Sequence, residues 1–179
     1  MRPAPWLLLI ALLGGLGAGH LGAADDLVPV RVLDVKLDRE TGAPLVILTT
    51  QKGDRYLVIV VGHAEALAIL RELRQQPPMP RPLTHDLLRD VIRGLGARVE
   101  RVVVTRLVEG TFFADLILTR GKETIRVDAR PSDAMALALK VGAKLFVAKK
   151  VLDEAGISAD ELGGEEKPPK PTSDLKRAI

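Results

Sequence analysis

Asp128-Ala129-Arg130-Pro131-Ser132-Asp133 is the stretch of this chain best equipped for chemistry. It sets two carboxylates and a guanidinium where a β-branched run gives way to a Pro-Ser pair that opens a helix. Carboxylates can hold Mg²⁺ or Mn²⁺, arginine clamps phosphate, and a helix start offers backbone N–H groups to an anion. Asp115 and Glu65 are further candidate ligands, so the metal set expected from the sequence is Asp128, Asp133, Asp115 and Glu65. His85 and Asp86 open another helix. They put an imidazole beside a carboxylate, which suits a general acid or base or a metal ligand. The expected catalytic group is His85, Asp86, Asp128, Arg130 and Asp133. Each also has a structural reading. Arginines can neutralise aspartates on a solvated sheet face, and Glu65, His85 and Asp86 can serve as partners of helix starts. No P-loop, dinucleotide-binding glycine pattern, nucleophile elbow or zinc-protease motif is present.

The elements that must position these groups follow from hydrophobic period and turn residues. Alternation from Leu27 to Leu37 predicts a long strand, and its slip near Leu33-Asp34 predicts a bulge. Leu45–Thr50 and Tyr56–Val61 read as a hairpin turned at Lys52-Gly53-Asp54. Ala64, Leu67, Ala68, Leu70 and Leu73 give a helix over His63–Gln75, followed by a proline-rich linker. Thr84 is the expected N-cap of an amphipathic helix His85–Leu95 that uses Leu87, Leu88, Val91, Ile92 and Leu95. Val99–Leu107, Thr111–Thr119 and Glu123–Ala129 form a meander. Ser132 is expected to cap a third helix, Asp133–Val141. A strand at Leu145–Ala148 and a helical turn at Val151–Ala155 complete the pattern. The class is α+β, an antiparallel or mixed sheet with three main helices in one compact domain.

The turn at Gly121-Lys122 fixes a register. With Arg120 opposite Glu123, Ala114, Leu116 and Leu118 share a wholly apolar face with Ala129, Val127 and Ile125. One residue more in the loop would drive Arg126 and Asp128 into that face. The preferred register sets Asp115 directly opposite Asp128, a like-charge pair that needs compensation. Arg126, Arg130 and Phe113 are expected on the same side.

Composition narrows the function. Hydrophobic residues make up 47% and charged residues 27%, which excludes a disordered chain. With no Cys there is no disulfide scaffold, thiolate zinc site or cysteine nucleophile. Aromatics at 3% argue against a base-stacking platform, and a net charge of +3 does not by itself demand nucleic acid. Arg2, the apolar run Trp6–Leu16, and Gly22 and Ala24 before Asp25 read as a signal peptide over residues 1–24, with an uncleaved membrane anchor as the alternative. Export to a periplasm or the outside follows from either. The domain is expected over residues 27–157, with a disordered tail over 158–179.

Several stretches resemble the bifunctional nuclease domain family. They are VGHAEALAI (Val61 to Ile69), RPLTHDLL (Arg81 to Leu88), GARVERVVV (Gly96 to Val104), GTFFADLIL (Gly110 to Leu118), DARPSDAMALAL (Asp128 to Leu139) and VLDEAGI (Val151 to Ile157). They span the mature domain in the family's order. The resemblance implies a compact α+β domain, often a homo-oligomer, that hydrolyses RNA and DNA with low sequence specificity and no small-molecule cofactor. The positions matching the family's polar pattern are Glu65, Thr84, His85, Asp86, Asp128, Arg130, Ser132 and Asp133. The export signal is a departure that leaves the substrate open. The competing expectation is a non-enzymatic exported binding or scaffold module of the same fold.

Overall fold

A computed structural model describes residues 27–162 of the chain. The expected export signal lies outside the described residues, as does the tail beyond residue 162. The elements are β1 (Leu27–Leu37), β2 (Pro44–Thr50), β3 (Arg55–Val60), α1 (His63–Leu73), α2 (Thr84–Gly94), β4 (Arg98–Val108), β5 (Thr111–Arg120), β6 (Glu123–Ala129), α3 (Pro131–Val141), β7 (Lys144–Ala148), α4 (Lys149–Ala155) and β8 (Ile157–Ser158). The strands form one mixed eight-stranded sheet in the order β6-β5-β4-β7-β1-β2-β3-β8. This is the expected α+β class. Neighbours run antiparallel except β4 and β7, which are parallel.

The helices pack on one face of the sheet. Val30, Val32, Leu48, Leu57, Val102, Val104, Leu116 and Val147 point to that face and join one buried cluster with Ile69, Met135, Leu137 and Val151 from the helices. Each such side chain contributes roughly 1.5–3 kcal/mol by leaving water. α3 is the central helix: it packs against α1, α2, β4 and β5, and Ala134 to Ala138 are all buried. Alanines at 134, 136 and 138, buried on different sides of the helix, let the neighbouring helices and the sheet approach its backbone closely.

Bulges decide which side chains leave the core. In β1 the register shifts between Val32 and Asp34, as the alternation predicted, so Val32 and Val35 both face inward while Asp34 faces out. β4 carries two further shifts, between Val99 and Arg101 and between Val104 and Arg106. Without them Arg101 and Arg106 would share the inward face of Val99 and Val104. With them both arginines stand on the helix-free face, Arg101 opposite Ile117 and Arg106 opposite Phe113.

The β5–β6 register is the expected one: Arg120 pairs with Glu123 and Asp115 with Asp128. Gly121 has φ 59°, as the first central position of a type II′ turn requires. The β4–β5 turn has φ 49° at Glu109 and 76° at Gly110, a type I′ geometry.

Several expectations need correction. α2 begins one residue early. Leu83 is its N-cap and Thr84 its first helical residue, because Asp86 reaches back to accept from the Leu83 N–H at 3.0 Å. The apolar residues expected to bury α2 mostly do not: only His85 and Ile92 are buried, while Leu87 and Leu95 are 59% and 67% exposed. Arg130 is the N-cap of α3 and Ser132 its second helical residue, since Pro131 occupies the first helical position it favours. The chain also remains structured past Ser158. β8 pairs with β3, and the Ser158 N–H and Oγ both donate to the Glu161 carboxylate.

Candidate active site

Three helix N-termini meet at one cluster. Glu65 stands in the first turn of α1, His85 in the first turn of α2, and Arg130 and Asp133 at the start of α3. Arg130 joins two of them. Its Nη2 donates to Glu65 Oε1 at 2.7 Å and its Nε to Asp133 Oδ2 at 2.7 Å. Asp133 turns its other oxygen toward α2, with Oδ1 3.4 Å from His85 Nε2. The chain of contacts runs Glu65–Arg130–Asp133–His85.

Burial gives this chain a direction. The His85 and Glu65 side chains are only 11% and 15% exposed, while Arg130 is 68% exposed. Both ends of the chain are thus anchored in the fold and its centre opens to solvent. Arg130 is held above its ordinary pKa, first by the hydrogen bond to Asp133, then by the charges of Asp133 and Glu65. Gly62, the N-cap of α1, makes room for this. A Cβ there would run into the Glu65 carboxylate, although the backbone itself is in an ordinary extended conformation.

The cluster can bind an anion and move a proton. The first-turn N–H groups and the outward side of the exposed guanidinium favour a negatively charged group, while the Glu65 and Asp133 carboxylates already paired with Arg130 oppose it. The Asp133–His85 contact holds an imidazole in a fixed orientation, as acid–base chemistry requires.

Asp86 does not join the cluster. Its carboxylate caps Leu83 and lies 2.8 Å from Lys140 Nζ, which also reaches Glu72 Oε1 at 2.6 Å. Lys140 thereby clamps α1 and α2 onto α3. Asp86 sits below the usual carboxylate range because of the Lys140 hydrogen bond and, less strongly, the Leu83 N–H. Burial alone would lower Lys140, but the two carboxylates reverse this and leave it raised. The sequence reading passed over Lys140. Its signal is that it is the one charge near the end of the otherwise apolar run Ala134–Val141.

Asp115 and Asp128 do not join the cluster either. They face each other across β5 and β6 on the helix-free face. Asp115, with a 10% exposed side chain, lies 3.4 Å from Arg126 Nε, and Asp128 lies 3.9 Å from Arg106 Nη2. Arg130, expected on that same face, has left it to cap α3. The four carboxylates of the expected metal set therefore divide between two sides of the sheet. Glu65 and Asp133 share a guanidinium where a shared cation would have to stand. Among the described residues, no three His, Asp or Glu side chains converge in a way that fits Mg²⁺ or Mn²⁺.

Comparison with known proteins agrees with these motifs. The family model of the bifunctional nuclease domain matches residues 46–160. An uncharacterised protein of Mycobacterium tuberculosis is 44% identical over 137 residues, 76% of this chain and 81% of that protein. Bifunctional nuclease 1 of Arabidopsis thaliana is 25% identical over 134 residues, and that of Oryza sativa subsp. japonica is 26% identical over 116 residues. The matched region covers 73% and 63% of this chain but only 41% and 35% of those plant proteins.

Proposed function

Because the chain belongs to the bifunctional nuclease domain family, we propose that the Glu65–Arg130–Asp133–His85 cluster is the phosphodiesterase site of a nuclease. The observation that carries this reading is the meeting of three helix N-termini around one exposed arginine and one buried, carboxylate-oriented histidine. Arg130 and the first-turn N–H groups bind the phosphodiester and stabilise the charge that builds on its oxygens. Asp133 fixes the imidazole, and His85 takes the proton of the attacking hydroxyl or water as that oxygen bonds to phosphorus; the bond from phosphorus to the leaving oxygen breaks, and the imidazolium returns the proton to that oxygen. Glu65 holds the far side of the guanidinium, so Arg130 is presented rather than free to swing. Nothing in the cluster reads a base, which accords with low sequence specificity. No step here is routed through a divalent ion, since Arg130 already supplies the positive charge between the carboxylates.

One exposed apolar stripe suits contact with a second copy of the chain. Leu83, Leu87, Val91 and Leu95 follow one another at one-turn spacing along α2, all exposed. That stripe supports the homo-oligomer reading, which sedimentation of wild type beside Leu87→Glu/Val91→Glu checks.

The deciding experiment is cleavage of labelled RNA and DNA by the purified protein, with EDTA, Mg²⁺ and Mn²⁺ as separate conditions. His85→Gln and Arg130→Gln are expected to lose at least a hundredfold in rate while staying folded. No cleavage by wild type, or equal traces in wild type and both variants, would overturn the reading and leave a binding module. Activity that appears only with metal and disappears in Asp128→Asn would move the site to the other face of the sheet.

A further inference from the structure

The helix-free face of the sheet carries a row of cations. In register across five strands stand Arg126 on β6, Ile117 on β5, Arg101 on β4, Lys144 on β7 and Arg31 on β1. The last of these follows from carrying the β1–β7 pairing one step beyond Val30–Leu145. At ordinary strand spacing the row is about 19 Å long. Like charges on adjacent strands destabilise a sheet unless something compensates. Arg126 is answered by Asp115 and Arg101 by its neighbour Glu100, but among the described residues Lys144 and Arg31 form no ion pair, and both are exposed. On the helix side the pattern is the reverse: Lys140, Arg89 and Arg130 each face two carboxylates. The two arginine-expelling bulges of β4 feed the same face, since Arg101 joins the row and Arg106 lies over Phe113.

We propose that this row is the track along which the nuclease holds its substrate, gripping the phosphates of a single nucleic-acid strand; the proposal rests on the nuclease reading given above. Charge complementarity commits the face to a polyanion. The path to the site is short. β6 is the edge strand of the sheet, and it runs from Arg126 to the α3 cap at Arg130 in four residues, about 13 Å. A strand lying across the row thus reaches the exposed guanidinium by turning over one edge. Only three Phe, one Tyr and one Trp occur in the chain, so backbone contacts rather than base stacking supply the grip.

The test is fluorescence anisotropy of a labelled, phosphorothioate-linked 20-nucleotide single strand, which resists cleavage, with the full-length protein in EDTA, over a salt series. It compares wild type, Arg31→Gln/Lys144→Gln, and Arg74→Gln/Arg93→Gln as a charge-matched control at two exposed positions, the C-cap of α1 and the last turn of α2. Each lost phosphate contact lowers the log–log salt slope by about 0.7 and affinity about fivefold at 0.1 M salt. The row variant is expected to bind about 25-fold more weakly with a slope lower by about 1.4, and the control to stay within twofold. Equal weakening in both variants, or none in either, overturns the proposal. So does a row variant that loses binding only to vesicles containing anionic phosphatidylserine. Failure of the two readings is distinguishable. Binding that depends on the row without cleavage by any form leaves the track and removes the nuclease. Cleavage with unchanged Kd and KM in the row variant does the opposite.

Discussion

Replacing Lys140 by Met removes the cation that holds three helices together and leaves two carboxylates facing each other. The ammonium lies 2.6 Å from Glu72 and 2.8 Å from Asp86, and its side chain is 14% exposed. Removing one partner of a fully buried pair costs about 3–5 kcal/mol. Glu72 and Asp86 keep 26% and 20% exposure, so water relieves part of that, and about 2–3 kcal/mol is the expected loss. For a domain of this size the melting temperature should fall by about 10 °C. The pH dependence carries the sharper signature. Asp86 is lowered in the fold, so its contribution is present above its unfolded pKa and lost as pH falls through the folded one. Lys140 is raised, so its contribution is present below its unfolded pKa and lost only as alkali passes the folded value. Wild type therefore keeps the clamp at neutral pH and loses it in acid. In Lys140→Met the two unpaired carboxylates should gain protons more readily, so the gap to wild type narrows from pH 7 toward pH 4. Urea unfolding at a series of pH values reads both effects. A variant within 0.5 kcal/mol of wild type at pH 7, or a gap that does not change with pH, would refute the reasoning.

Other perturbations separate site from scaffold. Gly62→Ala pushes a methyl group into the Glu65 carboxylate and should loosen Arg130, lowering kcat at least tenfold while changing the melting temperature by only a few degrees. Glu109→Asn places a residue that tolerates φ 49° in the type I′ turn ahead of Gly110, and thermal unfolding should show a gain of about 0.5–1 kcal/mol. Asp115→Asn leaves Arg126 beside a neutral amide on a side chain that was 10% exposed; urea unfolding should show a loss of about 1–2 kcal/mol.

The local parts of the fold were legible because short-range rules determine them. A two-residue turn and one apolar face sufficed to set Asp115 opposite Asp128, and the slip in alternation placed the β1 bulge. Placing the candidate site required knowing where a strand stops. Arg130 was counted with the sheet, but Pro131 prefers the first helical position, which makes the preceding arginine the cap and turns it toward α1. Preference for Ser or Thr at N-caps misled at Ser132 and Thr84 alike, since a proline at the first helical position and a carboxylate at the third outweighed it. The burial of α2 was misjudged because periodicity reports that a helix has an apolar face, not what covers it. The insertion of β7 between β4 and β1 left no local trace, since nonlocal parallel pairing has no turn to announce it.

That insertion also shapes how the protein is made. β1, β2 and β3 form one meander and β4, β5 and β6 another, and in the finished sheet only β7 pairs with both. A ribosome delivers β7 after every residue of the Glu65–Arg130–Asp133–His85 cluster. Until Lys144–Ala148 emerge, the nascent chain holds two separate hairpin systems, with no continuous backbone ladder between the half that carries Glu65 and the half that carries Arg130. A site shared between those halves gains a continuous backbone frame only when β7 pairs with both, so its geometry is fixed late in synthesis.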